Sequence, residues 1–188
     1  SNASNHGDIG SNAVDLSYQS STSSTRGATG VRAVAMGLKT TASGTNSTAM
    51  GNLTTASGNQ TTAMGFQSTA SGDSSTAIGR STTASGSYST AMGQSTTASG
   101  DNSTALGYYT LASGGYGAIA MGNQTTASGA NSTVMGEGGT ASGAASTAMG
   151  RGTTASDYAS LVIGQYNSSG SSVTNNATSF NTANTAFV

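Results

Sequence analysis

The chain has 188 residues and a formal net charge of −1, with 28 Gly, three Phe, no Trp and no Cys. This length suits one ordinary domain, but the scarcity of large apolar residues excludes a thick hydrophobic core. The near-neutral charge argues against a nucleic-acid-binding protein, no apolar run has transmembrane length, and zero Cys excludes disulfides and thiolate metal sites.

The N-terminal segment is predicted to lie outside the repetitive part of the chain. Residues 1–3, Ser-Asn-Ala, match the scar of an expression tag and are left out of fold reasoning. Residues 4–22 lack a clear repeat and are predicted to form an N-terminal cap or lead-in. The repeats are predicted to occupy residues 23–165.

An apolar residue followed by Gly recurs every 14 residues through this region, with one interval of 15 where Gly115-Tyr116-Gly117 inserts a residue. A second marker, Ala-Ser-Gly, keeps the same spacing. Such a fixed period is typical of repeat architectures. The ten apolar residues, predicted to form a structural core, are Met36, Met50, Met64, Ile78, Met92, Leu106, Met121, Met135, Met149 and Ile163.

Each 14-residue unit is predicted to be one coil of an all-β solenoid. Two Gly and several Ser and Thr disfavour a helix, whereas two strands of about five residues joined by tight turns fit the length. From Gly27 to Gln165, charged and large aromatic residues lie at or beside the predicted corners. Flexible low-complexity sequence is the alternative, and the strict phase of the apolar residues argues against it.

The two strands of a coil are predicted to differ in their surroundings. Ala49 and Met50 point to opposite faces because side chains alternate along a strand, so one face would lie inside the coil and the other against a neighbouring chain. In Thr55-Ala56-Ser57 the polar side chains would meet water. A stack of such thin coils is marginal alone, which predicts an oligomer.

The repeats resemble those of a known family. NSTAMGNLTTASG (Asn46–Gly58), NSTALG (Asn102–Gly107) and NSTVMG (Asn131–Gly136) are similar to the Asn-Ser-Val-Ala-Ile-Gly repeats of trimeric autotransporter adhesin heads of the YadA-like type. The resemblance implies a left-handed parallel β-roll assembled as a homotrimer. Residues 166–188 break the period and are predicted to form an aperiodic loop and a final strand leading to the next module.

The resemblance also implies a function. The chain would be a non-enzymatic head of a bacterial surface adhesin and virulence factor that attaches to host extracellular matrix proteins or cell-surface receptors, or to other copies of itself. It would need no cofactor. The head would not contact the membrane, because the family's chains are held in the outer membrane by a C-terminal β-barrel expected beyond this sequence.

No catalytic or metal-binding constellation is predicted, since His6 is the only His and no coil carries two carboxylates. The resemblance implies ligand contacts on the stacked Asn-Ser motif, with turn closure as the alternative role. Corner aromatics are a second set of candidates, with packing between subunits as their alternative. The candidate residues are Asn46, Ser47, Asn102, Ser103, Asn131, Ser132, Phe66, Tyr108 and Tyr109.

Two other functions fit parts of the sequence. Similar Ala-Ser-Gly repeats occur in phage tail-spike and fibre proteins, so a phage fibre segment is one alternative. The recurring Thr-x-Ser of Thr55-Ala56-Ser57 would form a ranked surface typical of an ice-binding solenoid, although Leu111 interrupts that rank.

Overall fold

The computed structural model describes residues 8–19 and 23–168. Each full coil contains one five-residue strand, here called long, and one two-residue strand, here called short. The long strands are β1 Val14–Tyr18, β3 Val34–Leu38, β5 Thr48–Asn52, β7 Thr62–Phe66, β9 Thr76–Arg80, β11 Thr90–Gln94, β13 Thr104–Tyr108, β15 Ile119–Asn123, β17 Thr133–Glu137, β19 Thr147–Arg151 and β21 Leu161–Gln165. The short strands are β2 Gly27–Ala28, β4 Thr41–Ala42, β6 Thr55–Ala56, β8 Thr69–Ala70, β10 Thr83–Ala84, β12 Thr97–Ala98, β14 Leu111–Ala112, β16 Thr126–Ala127, β18 Thr140–Ala141 and β20 Thr154–Ala155.

The long strands form one 11-stranded sheet and the short strands form a second, 10-stranded sheet. All pairs are parallel, and each residue stands above its equivalent in the next coil, as Met92 does with Leu106. Ladder spacing gives the stack a length of about 48 Å. The predicted parallel solenoid of 14-residue coils is therefore confirmed.

The structure differs from the predicted strands in two respects. The second strand of a coil has two residues rather than about five, because left-handed turn residues such as Leu53 and Gln60 flank it closely on both sides. The sheet also begins earlier than residue 23, since Val14 pairs with Val34. Part of the predicted 4–22 lead-in therefore belongs to the stack, which reaches Ser168 through a bridge to Thr154. The tag scar at 1–3 and the tail from residue 169 lie outside the described residues.

The interior of the stack contains only small side chains. A typical coil places Ser89, Ala91, Thr96 and Ala98 inside, each at most 1% exposed. The equivalent Ala residues form one continuous buried cluster along the axis. Side chains of this size let the two sheets approach closely, which fits the scarcity of large apolar residues in the sequence.

The ten repeated apolar residues predicted as the core are not inside the chain. Met50 is half-buried, and Met36 and Met92 are 38% and 37% exposed. They alternate with the buried Ala residues along the long strands and therefore point outward. The prediction of a core role is wrong for the single chain, whose core is formed by the Ala ranks and the Ser and Thr beside them.

Backbone contact between successive coils explains the Gly that follows each Met. Gly93 has φ +123°, and a Cβ built on it would lie 2.0 Å from the carbonyl oxygen of Gly107. A side chain at this position therefore meets backbone, which cannot move aside without separating the coils. The same contact recurs from coil to coil through the stack.

Replacing Gly93 with Ala should lower the free energy of unfolding by about 3 kcal/mol, through overpacking and strain at positive φ. Gly115→Ala is the matched control, because a Cβ there meets nothing within 4 Å and should change the free energy by less than about 0.5 kcal/mol. Denaturant titrations of both variants at one protein concentration make the comparison. Equal losses would show that the coils do not stack on backbone at Gly93.

In one coil, a larger interior residue on one side is matched by a smaller one on the other side. Val134 occupies the rank held by Ala91 and Ala105 elsewhere, and Gly139 occupies the rank held by Thr96. A Cβ built on Gly139 would lie 3.0 Å from Cγ1 of Val134. The larger residue in β17 thus fills the space that the smaller one leaves, and the internal volume of the coil is preserved.

The two positions should therefore be coupled energetically. Val134→Ala removes two buried methyl groups and Gly139→Thr overfills the same space, so each should lower the free energy of unfolding by about 1–3 kcal/mol. The double variant recreates the composition of the other coils and should lie within about 1 kcal/mol of the parent chain. Additive losses in this double-mutant cycle would refute the compensation.

Candidate ligand-contact surface

Two stacked corners present the variable residues of the coil. Corner A follows each long strand and includes its last residue and the next, such as Asn52 and Leu53. Corner B follows each short strand and ends just before the next long strand, at residues such as Asn59 and Gln60. Leu53 and Gln60 both have φ +58°, so each corner contains one residue in the left-handed region. Residues of every size occur at the corners because their side chains project into solvent.

The three candidate Asn residues lie in corner B. Asn46, Asn102 and Asn131 are exposed and have φ values of +57°, +56° and +56°. Asn tolerates this conformation better than other side chains. The Oδ1 atom of Asn46 also accepts a hydrogen bond of 2.8 Å from Nε of Arg32, one coil earlier. This geometry supports the alternative role in turn closure, while ligand contact by these three residues stays a prediction.

The three candidate Ser residues point into the stack. Ser47, Ser103 and Ser132 each have 0% exposure. They follow the left-handed Asn, which turns the chain so that the next side chain faces inward. The prediction that they contact a ligand is wrong, because no ligand reaches a side chain enclosed by the coil.

The candidate aromatic residues all lie on corner A, with Tyr108 and Tyr109 in one coil and Phe66 three coils away. Phe66, Tyr108 and Tyr109 are 37%, 42% and 52% exposed. The rings of Tyr108 and Tyr109 meet edge to face, with centroids 4.4 Å apart and an interplanar angle of 88°. The guanidinium of Arg80 lies 6.0 Å from the centroid of Phe66, within reach of a cation–π contact. These rings are accessible in the single chain, as a contact role requires.

The most exposed aromatics of the coils from residue 30 onward were not among the candidates. Tyr88, Tyr116 and Tyr158 lie in corner B and are 67%, 63% and 81% exposed, and Tyr166 in corner A is 63% exposed. The place of the first three after the Ala-Ser-Gly marker assigns them to a corner, but sequence does not rank one corner above the other. Exposure was decided by how far each turn stands out from the stack.

Polar side chains link neighbouring coils along corner B. Oδ1 of Asp73 accepts hydrogen bonds from the backbone N–H (2.9 Å) and Nδ2 (3.3 Å) of Asn59. Oδ1 of Asp101 accepts one of 2.9 Å from the backbone N–H of Ser87. Each contact joins residues 14 positions apart, so these acids brace one turn against the next.

The outward side of the 11-stranded sheet carries a continuous rank of apolar side chains beside a rank that is mostly Thr. The residues that stack on Met50 and on Thr48 form two outward-facing rows along the long strands. We call these two rows the methionine face; the Met50 rank consists of the ten apolar residues given above, and the Thr48 rank lies beside it. The Thr48 rank is mostly Thr and includes Val34, Ile119 and Leu161. Most of these side chains are half-buried in the single chain. Exposed apolar patches of this extent mark contact surfaces.

The described residues offer little for chemical catalysis. Residues 8–19 and 23–168 contain no group of three or more His, Cys, Asp or Glu that could hold a metal ion. They also contain no helix long and apolar enough to cross a membrane. The sole His, His6, lies outside the described residues. The surface instead presents the same arrangement in every coil: polar and aromatic side chains aligned at the corners, beside the methionine face.

Stacked parallel coils with two ladders of exposed corners define the class of protein: a parallel β-solenoid repeat module. The family model for the YadA head domain repeat, which spans two copies, matches residues 28–54, 56–82, 84–110, 113–137 and 141–167. These matches cover more than half of the chain, which therefore belongs to the YadA head family. A comparison with curated proteins finds no match.

The buried Ser rank allows a matched test of its structural role. Oγ of Ser103 has no hydrogen-bond partner among the described residues, whereas Oγ of Ser75 donates to the carbonyl oxygen of Ala84 at 3.2 Å. Ser103→Ala should leave the free energy of unfolding unchanged or raise it by up to about 1 kcal/mol, and Ser75→Ala should lower it by about 1 kcal/mol. Thermal unfolding of both variants measures the difference, and the opposite order would contradict this assignment.

Proposed function

We propose that this chain is a non-enzymatic adhesin head that acts as a homotrimer on the bacterial cell surface. It attaches the cell to host extracellular matrix proteins or cell-surface receptors, to other copies of itself, or to both. Membership of the YadA head family supports the adhesin function. The single observation that carries the assembled state is the methionine face, a complete side of the rod that the single chain leaves uncovered.

The methionine face needs a partner with the same period. Its ranks repeat at the ladder spacing of the strands, about 4.8 Å, and only a surface with that spacing packs against it along its full length. A second copy of the chain has that spacing by construction. A ring of three copies with these faces toward a common axis buries all of them and closes, so no copy keeps an open contact surface. The family resemblance specifies three copies and left-handed winding.

Adhesion by such a rod relies on repetition rather than on a pocket. Exposed corner residues such as Tyr88, Tyr116, Tyr108 and Tyr109 recur along the axis, and three chains multiply each of them. Linked weak contacts raise the overall affinity by avidity, without any one strong site. Tyr side chains are enriched at contact hot spots, which makes these corners our candidates for the ligand surface together with Asn46, Asn102 and Asn131.

The location follows from the same proposal. The head stands outside the cell and is held in the outer membrane through a C-terminal region of the full-length protein. In this position it contributes to virulence by bringing the cell to host tissue. The aligned corners then face the medium along the whole length of the rod.

The adhesin function is favoured over the two alternatives. The YadA head matches support an autotransporter head rather than a phage fibre segment. On the short strands, Ser57 is exposed and Thr55 half-buried, so the Thr-x-Ser rank does face outward. Leu111 interrupts that rank within β14, and a thermal-hysteresis assay tests ice binding directly.

The parent chain should have a solution mass of three times 18.1 kDa and should bind immobilised collagen, fibronectin, laminin or host cells, or itself. Met92→Glu places a charge in the middle of the methionine face and should dissociate the trimer, because a buried unpaired charge costs several kcal/mol. Binding should weaken at least about a hundredfold with the loss of avidity.

Ser85→Glu is the control for this substitution. Ser85 is exposed beside short strand β10, on the opposite side of the coil, so the variant should remain trimeric. Light scattering and surface binding assays give the two readouts. A monomeric parent chain would refute the assembly, and a trimer that binds neither matrix, cells nor itself would reduce the role to that of a spacer.

A further inference from the structure

Charged side chains are sorted between the two corners of the roll. From Gly30 to Gln165, corner A carries three cations and one anion, whereas corner B carries one cation and three anions. The corner A residues are Lys39, Arg80, Glu137 and Arg151, and the corner B residues are Arg32, Asp73, Asp101 and Asp157. Such sorting gives the rod one mainly cationic edge and one mainly anionic edge.

The two edges do not neutralise each other within one chain. They lie at opposite ends of the five-residue strands, which separates them by about 16 Å. Charges this far apart are largely screened, because the Debye length at physiological salt is about 8 Å. The Glu137 carboxylate instead approaches Arg151 on the same edge, with 3.6 Å between Oε2 and Nε.

A threefold ring brings unlike edges together, and this step rests on the proposed homotrimer. With the methionine faces toward the axis, the long strands of the three chains form the sides of a triangle and circulate in one direction. The end of each strand then meets the start of the equivalent strand in the next chain, since a ring contact joins two different surfaces. Corner A of one chain therefore faces corner B of its neighbour at the same height.

We propose that Arg80 of each chain forms an ion pair with Asp73 of the adjacent copy. Both residues flank the same long strand, β9, so they stand at the same level of the rod. Arg80 is exposed, and its contact among the described residues is the ring of Phe66. Asp73 uses Oδ1 to accept from Asn59, and its Oδ2 has no hydrogen bond within residues 8–19 and 23–168. Both groups are thus available to a second copy.

This pair depends on the axial register of the three chains. The methionine face repeats almost unchanged every coil, so it opposes a slip of one coil only weakly. The residues stacked on Arg80 are Phe66 and Gln94, and those stacked on Asp73 in corner B are Asn59 and Ser87. A slip of one coil therefore sets Arg80 and Asp73 against uncharged neighbours, although in one direction it brings Arg151 to the level of Asp157. The Arg80–Asp73 pair thus forms only in the aligned assembly.

Lys39 and Arg32 lie at one level near the first full coil and are both cationic. The aligned assembly therefore has no attractive pair at this level. Arg32 is already engaged within its chain, where its Nε donates to Asn46. We confine the proposed pairing to Arg80 and Asp73.

Cysteine cross-linking tests the geometry in the full 188-residue chain, which has no native Cys. In the Arg80→Cys, Asp73→Cys double variant, mild oxidation should give a covalent trimer on a denaturing gel. An intrachain disulfide is excluded because the two Cα atoms of a disulfide must lie within about 7 Å of each other. Residues 73 and 80 are separated by the full length of β9, which is far greater. The Arg80→Cys, Asp101→Cys control places the second Cys two coils away along corner B and should give no covalent trimer. A species that is trimeric in solution yet fails to cross-link through residues 80 and 73 would overturn the pairing, whereas a monomeric parent chain would instead overturn the proposed trimer.

Charge reversal tests the ion pair. Arg80→Glu should raise the midpoint concentration for trimer dissociation roughly tenfold at low salt, and less at high salt. Adding Asp73→Arg should restore the midpoint to within about threefold of the parent. Adding Asp101→Arg instead, two coils further along the same corner, should not restore it. Equal rescue by both second substitutions, or no effect of Arg80→Glu, would refute a specific pair.

Discussion

The direct stacking of one coil on the next is the constraint on which the rest of the structure depends. Parallel strands fix the axial spacing at about 4.8 Å, and each residue must repeat the conformation of its equivalent below. At Gly93 the next carbonyl oxygen occupies the place of a side chain. The 14-residue period is thus enforced by backbone contact, and the one 15-residue coil accommodates its additional residue in the exposed turn at Gly115.

This spacing sets what can lie inside and what must lie outside. Two sheets joined by alternating connections of two and five residues enclose a space that Ala, Ser and Thr fill. The exchange of volume between Val134 and Gly139 shows that this space has no surplus. Large apolar residues can occupy the outward side of the long strands, and in doing so they create a face that a single chain cannot bury.

The functional surface follows from the same geometry. Because the interior and the stacking contacts fix the strands, variation is confined to the two corners, where aromatic and charged side chains are exposed. A YadA head with such corners offers many equivalent contacts instead of one cavity. The sorting of cations and anions between the corners is the basis of the pairing between copies that we propose.

The sequence by itself determined the period, the solenoid class, the positions of the corners and the family. These depend on Gly, Ser and apolar residues at fixed intervals, which are local and repeated ten times. Only the tertiary structure decided that Ala91 faces inward and Met92 outward, since both are apolar and alternation along a strand does not label its faces. It also placed Ser103 inside, because the left-handed turn at Asn102 redirects the chain there. Strand β1 was found only in the structure, where Val14 pairs with Val34. The two strands lie side by side although the chain between them is longer than the 14-residue period, so the repeat in the sequence did not reveal the pairing.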